Sequence, residues 1–424
     1  MMRRFWIFNH YATTPKTGPL LRHYYFAEYL KEKDIETTVF AANELHQTGT
    51  SVDTMGKPYL RTEEEGVPFV FVKTSKYRGN GISRVFNMLS FFFGLLRISK
   101  KYARQYGKPD LIMGSSAHPL TSIAGILVAR RFHVPVIVEV RDLWPEAIFS
   151  FGKVKMDSLI GRALSAGEKW MYVHADAIVF TKEGDVDHIK EMGWDTAHGG
   201  KIDLEKCHYV NNGVKLDDYY RSIQEDVLPD PDLEDDSFKV VYTGTLRPVN
   251  NVDNLLDTAK LLQDHKDIRF LIFGSGNQLE RLKKRAEDEH LDNVKLKGYV
   301  EKKYIPYILS RSSVNILNYS QSHYNWSRGN SSNKLFEYMA SGKPIISTVK
   351  MGYCILDRYQ CGLSLEECTP RALADMILKI HDMPEDTYAQ MAKNAREGAK
   401  DFDFSVLTER LYKVIENLVD KEEV

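Results

Sequence analysis

Short apolar runs alternate with longer amphipathic segments along nearly the whole chain, and this rhythm leaves few folds open. A brief continuous run of Val, Ile, Leu and Phe suits a strand buried on both faces and is too short for a helix. An amphipathic segment between two such runs supplies the crossover that makes consecutive strands parallel. Strands are expected at residues 5–8, 37–41, 67–72, 111–114, 136–140, 177–180 and 207–210, with helices such as 20–33 and 120–132 between them. Near Asp217 the rhythm dissolves into a polar, acidic stretch, 224–238, that holds Pro229 and Pro231 and reads as a linker. A second series follows, with strands at 239–243, 268–273, 294–297, 314–317, 344–346 and 362–365 and helices at 251–266, 278–290, 302–311 and 333–341. The expected fold class is α/β, with two doubly wound halves over residues 1–222 and 237–403. The tail, 404–424, reads as an amphipathic helix that can cross back to the first half.

Composition narrows the function classes. At 424 residues the chain exceeds one ordinary domain of roughly 100–200 residues. Lys and Arg number 57 against 58 Asp and Glu, a formal net charge of -1, so no global field draws the chain to nucleic acid. The cysteines at 207, 354, 361 and 368 form no Cys-x-x-Cys pair and are expected as reduced thiols in a cytoplasm, without disulfide or zinc. The opening run at 5–8 is too short for a signal-peptide core. No stretch reaches the roughly 18 apolar residues of a membrane span. A cytoplasmic protein that does not cross the membrane is expected.

Open α/β sheets bind ligands beyond the carboxyl ends of their strands, so the residues after each expected strand matter most. Three glycine-bearing turns lie there in the second half: Thr243-Gly244-Thr245-Leu246-Arg247, Phe273-Gly274-Ser275-Gly276 and Lys297-Gly298-Tyr299-Val300. One such turn closes a loop as readily as it cradles a phosphate; three at one sheet edge weigh more. A more specific element is Ser332-Asn333-Lys334-Leu335-Phe336-Glu337-Tyr338-Met339-Ala340-Ser341-Gly342-Lys343-Pro344. Ser331, Ser332 or Asn333 would cap a helix whose free N–H groups attract phosphate. Lys334 lies in that first turn, and Glu337 shares its face, where a carboxylate can hold ribose hydroxyls. A capped surface helix with an incidental Lys–Glu pair has the same spacing.

In the first half, Ser115-Ser116-Ala117-His118-Pro119 follows a strand, and His118 could donate to a sugar hydroxyl or shift protons. Asp142, in Arg141-Asp142-Leu143-Trp144-Pro145-Glu146, could accept the proton of an incoming hydroxyl. Glu146, about one helical turn on, is a second candidate general base. Capping the next helix or pairing with Arg141 is the plainer role of Asp142.

The segment 85–99 has an apolar arc wider than one sheet contact needs. On a helical wheel Asn87, Ser90, Gly94, Arg97 and Lys101 form one polar stripe, and Leu89, Phe91, Phe92, Phe93, Leu95 and Leu96 cover the rest. Neighbouring helices would bury that excess, or it would dip into a bilayer with Arg84, Arg97, Lys100, Lys101 and Arg104 near anionic headgroups.

These motifs together resemble the family 4 glycosyltransferases of GT-B fold. Residues 332–344 resemble the Ser-x-Lys-x-x-Glu-Tyr-x-x-x-Gly-x-Pro form of bacterial surface-polysaccharide transferases, and Glu139-Val140-Arg141-Asp142-Leu143-Trp144-Pro145 resembles the mark of one subgroup. Gly244 with Arg247, Asn251 and Asp253 resembles the family's first donor loop, residues 273–276 its second, and Gly18, in Thr14-Pro15-Lys16-Thr17-Gly18-Pro19, its glycine loop. The resemblance implies two Rossmann-like domains facing across a cleft, an acceptor domain followed by a donor domain. It implies retaining transfer of a hexosyl or N-acetylhexosaminyl group from a nucleotide diphosphate sugar, with a UDP-sugar favoured. The implied acceptor is a glycan or a polyprenyl-diphosphate-linked one in O-antigen or capsule synthesis, at the inner face of the cytoplasmic membrane. No metal or other cofactor is implied. Gly18, Gly244, Gly274, Ser275 and Asn333 would line the donor, Arg247 and Lys334 the diphosphate, Glu337 the ribose, and the backbone at Tyr299 and Val300 the base. Two positions depart from the pattern: Gly329 stands where many members carry Glu, and Asn250 and Asn251 stand near the place of a usual Lys.

Other readings use the same residues differently. A nucleotide-sugar epimerase would keep the donor half without an acceptor, and a non-catalytic subunit of a polysaccharide assembly would explain Gly329. A metal-dependent transferase would need an Asp-x-Asp at a strand end; residues 185–187, 230–232 and 401–403 match by letter but follow no clear strand. A nicotinamide dehydrogenase would need Gly-x-Gly-x-x-Gly opening the first helix, which is missing.

Overall fold

The computed structural model describes residues 3–46, 49–79, 81–150, 155–320 and 325–419. It divides into two compact units, residues 1–211 with 404–424, and residues 212–403.

The first unit holds an eight-stranded sheet in the order β3-β4-β2-β1-β5-β6-β7-β8. Its strands are β1 (Arg3–Phe8), β2 (Ile35–Ala42), β3 (Tyr59–Glu64), β4 (Val67–Val72), β5 (Leu111–Ser115), β6 (Val136–Val140), β7 (Ala177–Phe180) and β8 (Cys207–Tyr209). All neighbours are parallel except β3 and β4. Winding runs outward from β1 through β2 and β4, then restarts at β5 in the other direction. The loops after β1 and β5 therefore part at the switch point where such sheets bind ligands.

Helix α1 (Arg22–Lys31) packs with the helix Phe404–Val419 around Phe5, Ile7 and Val39 on one face. Phe404, Leu407, Leu411, Val414 and Ile415 recur at helical spacing, and this single apolar stripe draws the chain's last described helix onto the first unit. On the other face α2 (Ile82–Tyr106) and α3 (Pro119–Phe132) cover Trp6, Phe8 and Phe40. Trp6 meets Tyr102 and Phe132 edge-on, with ring centroids at 5.4 and 5.7 Å.

The antiparallel edge strand β3 was not expected from the sequence. Its Arg61, Glu63 and Glu64 look like loop chemistry, yet charges on an edge strand blunt further pairing. The tight reversal to β4 runs through Glu65 and Gly66, both at positive φ.

The second unit holds six parallel strands in the order β11-β10-β9-β12-β13-β14. They are β9 (Phe238–Thr243), β10 (Ile268–Phe273), β11 (Val294–Gly298), β12 (Val314–Leu317), β13 (Ile345–Ser347) and β14 (Gly362–Ser364). Its switch point lies between β9 and β12. The stretch 224–238 is not a linker: the second unit begins at Asn212, ahead of the expected boundary at 222–237. Leu216, Tyr219 and Leu233 are buried in its core. Lys297 holds Asp230 and Asp232 at 2.7 and 2.5 Å, and Lys239 holds Asp235 at 3.0 Å. The acidic residues are a cover stitched to basic partners, and one Asp-x-Asp candidate is thereby committed to a lysine.

Helix α2 departs from the expected wheel. Asn87, Phe91, Leu95, Ile98, Ser99 and Tyr102 form its buried face. Phe91, expected at a membrane, is wholly buried because β4 and α3 need an apolar cover there. Asn87 and Gly94, expected on a polar stripe, turn inward; Gly94 packs on Val72 and Asn87 finds polar partners. Arg84 also turns inward, bonding the Tyr11 hydroxyl at 3.0 Å. Phe92 and Leu96 are half-buried on the core. The outer face carries Ile82, Val85, Phe86 and Phe93, with Arg97, Lys100 and Lys101 exposed beyond them. By length and composition α2 could cross a membrane, which counting apolar runs missed because Asn87, Ser90 and Arg97 interrupt it.

Candidate active site

In the second unit the chemistry gathers at the carboxyl ends of β9, β10 and β12. The turns after β9, β10 and β11 are laced together: Gly244 N–H donates to the Phe273 carbonyl at 2.9 Å and Gly274 N–H to the Gly298 carbonyl at 2.7 Å. Gly274 has φ +148°, and a Cβ there would lie 1.7 Å from the Gly244 carbonyl oxygen, so no side chain fits between the two turns. Gly244, at φ +150°, makes room for Lys334, whose Nζ would lie 2.3 Å from an added Cβ.

Lys334 stands at the second position of the helix Asn333–Ala340, which no side chain caps. Ser332 is the capping position, but the Asn330 side chain bonds the Ser332 N–H instead. The Lys334 Nζ reaches the Tyr242 hydroxyl at 3.2 Å and lies 4.7 Å from that ring's centre. Burial pushes this ammonium down to about 8, with Glu337 opposing. A desolvated cation at the start of a helix that no side chain caps is an arrangement that an anion relieves.

Arg247 is exposed, three residues after Gly244 on the same turn, and Ser275 is exposed on the next. Tyr299 is exposed and Val300 is half-buried after β11. Glu337, expected to face ribose, pairs with Lys302 at 2.9 Å, so hydroxyls arriving there must share it with an ammonium. Asn333, Lys334 and Gly244 thus share one edge, and Glu337 lies a turn farther along the helix.

In the first unit the matching edge collects residues after β1, β5, β6 and β7. Gly18 closes a compact loop in which its N–H bonds the Thr14 carbonyl at 3.1 Å and Leu20 N–H bonds Thr13 Oγ1 at 2.8 Å. His118 caps the start of α3 with its ring buried, its Nε2 2.8 Å from His10 Nδ1. Burial, then Arg84, push His118 down to about 3, so the ring is neutral here near pH 7. Asp142 is exposed and lies 3.8 Å from the buried ammonium of Lys182 rather than on Arg141. Glu146 sits half-exposed in the first turn of the short helix Trp144–Ser150.

The motif residue Glu139, in β6, is committed to partners inside the first unit. It is fully buried, taking Arg22 Nε on Oε1 at 2.8 Å and both His23 Nε2 and Ser115 Oγ on Oε2, at 2.8 and 2.6 Å. Arg22 also donates to the Val210 and Asn211 carbonyls. Burial opposes the Glu139 charge, but Arg22 and then His23 outweigh it and hold the carboxyl well below its usual range. His23 is itself pushed down by burial, so it enters as a neutral donor and Arg22 carries the balancing charge. The cluster fixes the start of α1 and the ends of β5, β6 and β8. Sequence reasoning missed His10, Lys182 and Tyr242; His10 and Lys182 are polar residues two positions past a strand, the signal used elsewhere.

Two family models match the chain: "Glycosyl transferase 4-like domain" over residues 17–199 and "Glycosyl transferases group 1" over residues 224–398. No curated protein matches at a significant level. Among solved structures, sucrose-phosphate synthase from Thermosynechococcus elongatus superposes with a TM-score of 0.71 at 15% identity, covering 99% of this chain and 100% of that one. HepE from Anabaena in complex with UDP gives 0.67 at 13%, covering 98% and 100%. WaaG, a glycosyltransferase involved in lipopolysaccharide biosynthesis, gives 0.62 at 10%, covering 98% and 99%. At such identities the likeness speaks for the fold, and the two domain matches for the activity class. The chain belongs to the GT-B glycosyltransferases of the family 4 type, a glycosyl transferase 4-like domain followed by a group 1 domain.

Proposed function

We propose that the protein transfers a hexosyl or N-acetylhexosaminyl group from a UDP-sugar, with retention and without a metal, to a glycan or lipid-linked acceptor of a bacterial surface polysaccharide. The observation that carries this reading is Lys334, a desolvated cation at an uncapped helix start against the glycine turns. As the anomeric bond breaks, charge grows on the leaving diphosphate, and fixed cations with backbone N–H groups stabilise it with no reorganisation. Same-face displacement then joins the acceptor oxygen to the anomeric carbon, and the hydroxyl proton passes to the leaving phosphate. Asp142 and Glu146 are the alternative proton acceptors. The UDP in the HepE complexes favours uridine over other bases.

A thermal-shift screen of UDP-, GDP- and ADP-sugars without added metal tests this reading. Stabilisation selective for UDP-sugars is expected. Binding a diphosphate raises the Lys334 pKa from about 8, so donor affinity is level below pH 8 and falls as pH rises above it, by up to about tenfold per unit. A shift that is equal for all nucleotides, or one that grows above pH 8, would speak against the site.

The outer face of α2 supports work at a membrane surface. Ile82, Phe86 and Phe93 recur at helical spacing and are 76, 61 and 61% exposed, with Arg97 and Lys100 on the same side. Each inserted side chain contributes about 1.5–3 kcal/mol before ordering costs. Binding to anionic vesicles at low salt is expected, at least tenfold weaker in Phe86→Ser/Phe93→Ser; vesicle binding unaffected by that change removes the claim.

A further inference from the structure

We infer that Asn87 and His10 form a relay, anchored on the backbone, that fixes His118 in its Nε2–H tautomer and presents Nδ1 as a hydroxyl acceptor. Only the identity of that hydroxyl, on the donor sugar or the acceptor, rests on the proposed reaction.

The relay is read from its anchored end. The Ser75 carbonyl can only accept, so the Asn87 atom 2.5 Å from it is the amide nitrogen, which also donates to Thr74 Oγ1 at 3.0 Å. Thr74 is fixed in turn, because its N–H and hydroxyl both donate to Asn43 Oδ1, at 2.8 and 3.1 Å. Asn87 Oδ1 therefore faces His10 Nε2 at 2.7 Å as an acceptor, and the proton sits on Nε2. Burial, and then His118, hold His10 well below the usual histidine range, so the ring is neutral and its Nδ1 is a lone pair. His118 Nε2, 2.8 Å away, must donate to it. Thr121 Oγ1, at 3.3 Å, faces that same nitrogen.

The neutral His118 ring is left with an unprotonated Nδ1, which is buried and has no hydrogen-bond partner. A buried nitrogen in that state is costly unless a ligand completes it. It can accept from an O–H and cannot donate to a phosphate or carbonyl oxygen. His118 thus reads a hydroxyl, opposite to the donor role its sequence position suggests. Asn87 and His10 touch no substrate in this account and are positioning residues. Asn87 lies on the buried face of α2, immediately after the exposed Val85 and Phe86.

Histidine 15N NMR of the full-length protein tests the relay directly. The expected wild-type spectrum has His118 protonated at Nε2 alone. Asn87→Leu keeps the bulk but removes the acceptor on His10 Nε2, so His10, and with it His118, samples both tautomers. His10→Phe keeps a ring but removes the acceptor, giving a mixture of tautomers. With UDP-glucose as the donor probe, both variants should lose about 2–10-fold in kcat/KM, one neutral hydrogen bond, with UDP affinity unchanged. An Nδ1–H form in the wild type, or an unaltered tautomer in both variants, overturns the relay. A spectrum as expected without turnover of any UDP-sugar would instead sink the proposed reaction and leave the relay standing.

Discussion

Lys334→Ala is expected to lower turnover by about 10²–10³-fold, the cost of one preorganised donor at a developing anion, while the fold survives. The half-buried lysine bonds Tyr242 and its ammonium is pushed down to about 8, so its removal relieves a desolvation cost instead of opening a stabilising pair. Thermal unfolding of the ligand-free variant should therefore match or exceed that of the wild type. The kinetic loss should fall on kcat and kcat/KM together, because the interaction strengthens as charge reaches the leaving diphosphate. Arg247→Ala acts in the same direction but less, since that side chain is exposed and water screens it. A Lys334→Ala enzyme within about threefold of normal turnover would remove the lysine from the reaction; the steady-state rate with a cognate donor decides it.

Glu139→Ala is expected to cost about 3–5 kcal/mol of stability in the first unit, because it leaves the Arg22 guanidinium buried without its counter-ion. For a unit of this size that corresponds to roughly 6–20 °C in Tm, read by calorimetry. The pH dependence follows from the sign of the shift. The folded carboxyl lies well below its usual range, so its contribution is complete above the unfolded value near 4.3 and fades as pH falls through the folded one. The variant should accordingly lose the part of the wild type's acid sensitivity that Glu139 supplies. An unfolding curve unmoved by the substitution would mean that Arg22 is satisfied by the Val210 and Asn211 carbonyls alone.

Strands buried on both faces were legible because their signal is local. The runs Val67–Val72 and Ala177–Phe180 are continuous apolar segments, and Val136–Val140, Ile268–Phe273 and Val314–Leu317 are apolar but for Glu139, Arg269 and Asn315. The glycine turns and Lys334 were also legible together, since a strand followed by glycine places its loop at the ligand edge whatever the rest of the chain does.

What failed depended on partners distant in sequence. Asn87 looked solvent-facing on a helical wheel because His10 lies 77 residues away. The acidic stretch looked like a linker because Lys297, 67 residues beyond Asp230, cannot be paired with it from composition. Strand β3 hid behind its charges, which only the pairing with β4 explains. Glu139 sits in the most recognisable motif of the first unit, yet its work is internal: a motif marks constraint, and burial decides whether the constraint is chemistry or architecture.

The central claim is that a nucleotide diphosphate lands on Lys334. Calorimetric titration of UDP at pH 8.5, with chelator and in two buffers of different ionisation enthalpy, counts the protons taken up on binding. Because the free ammonium titrates at about 8 and the diphosphate raises it, the wild type should take up a substantial fraction of one proton, and Lys334→Met none, with affinity at least tenfold lower. Equal affinity and equal proton uptake in the two proteins would contradict the account.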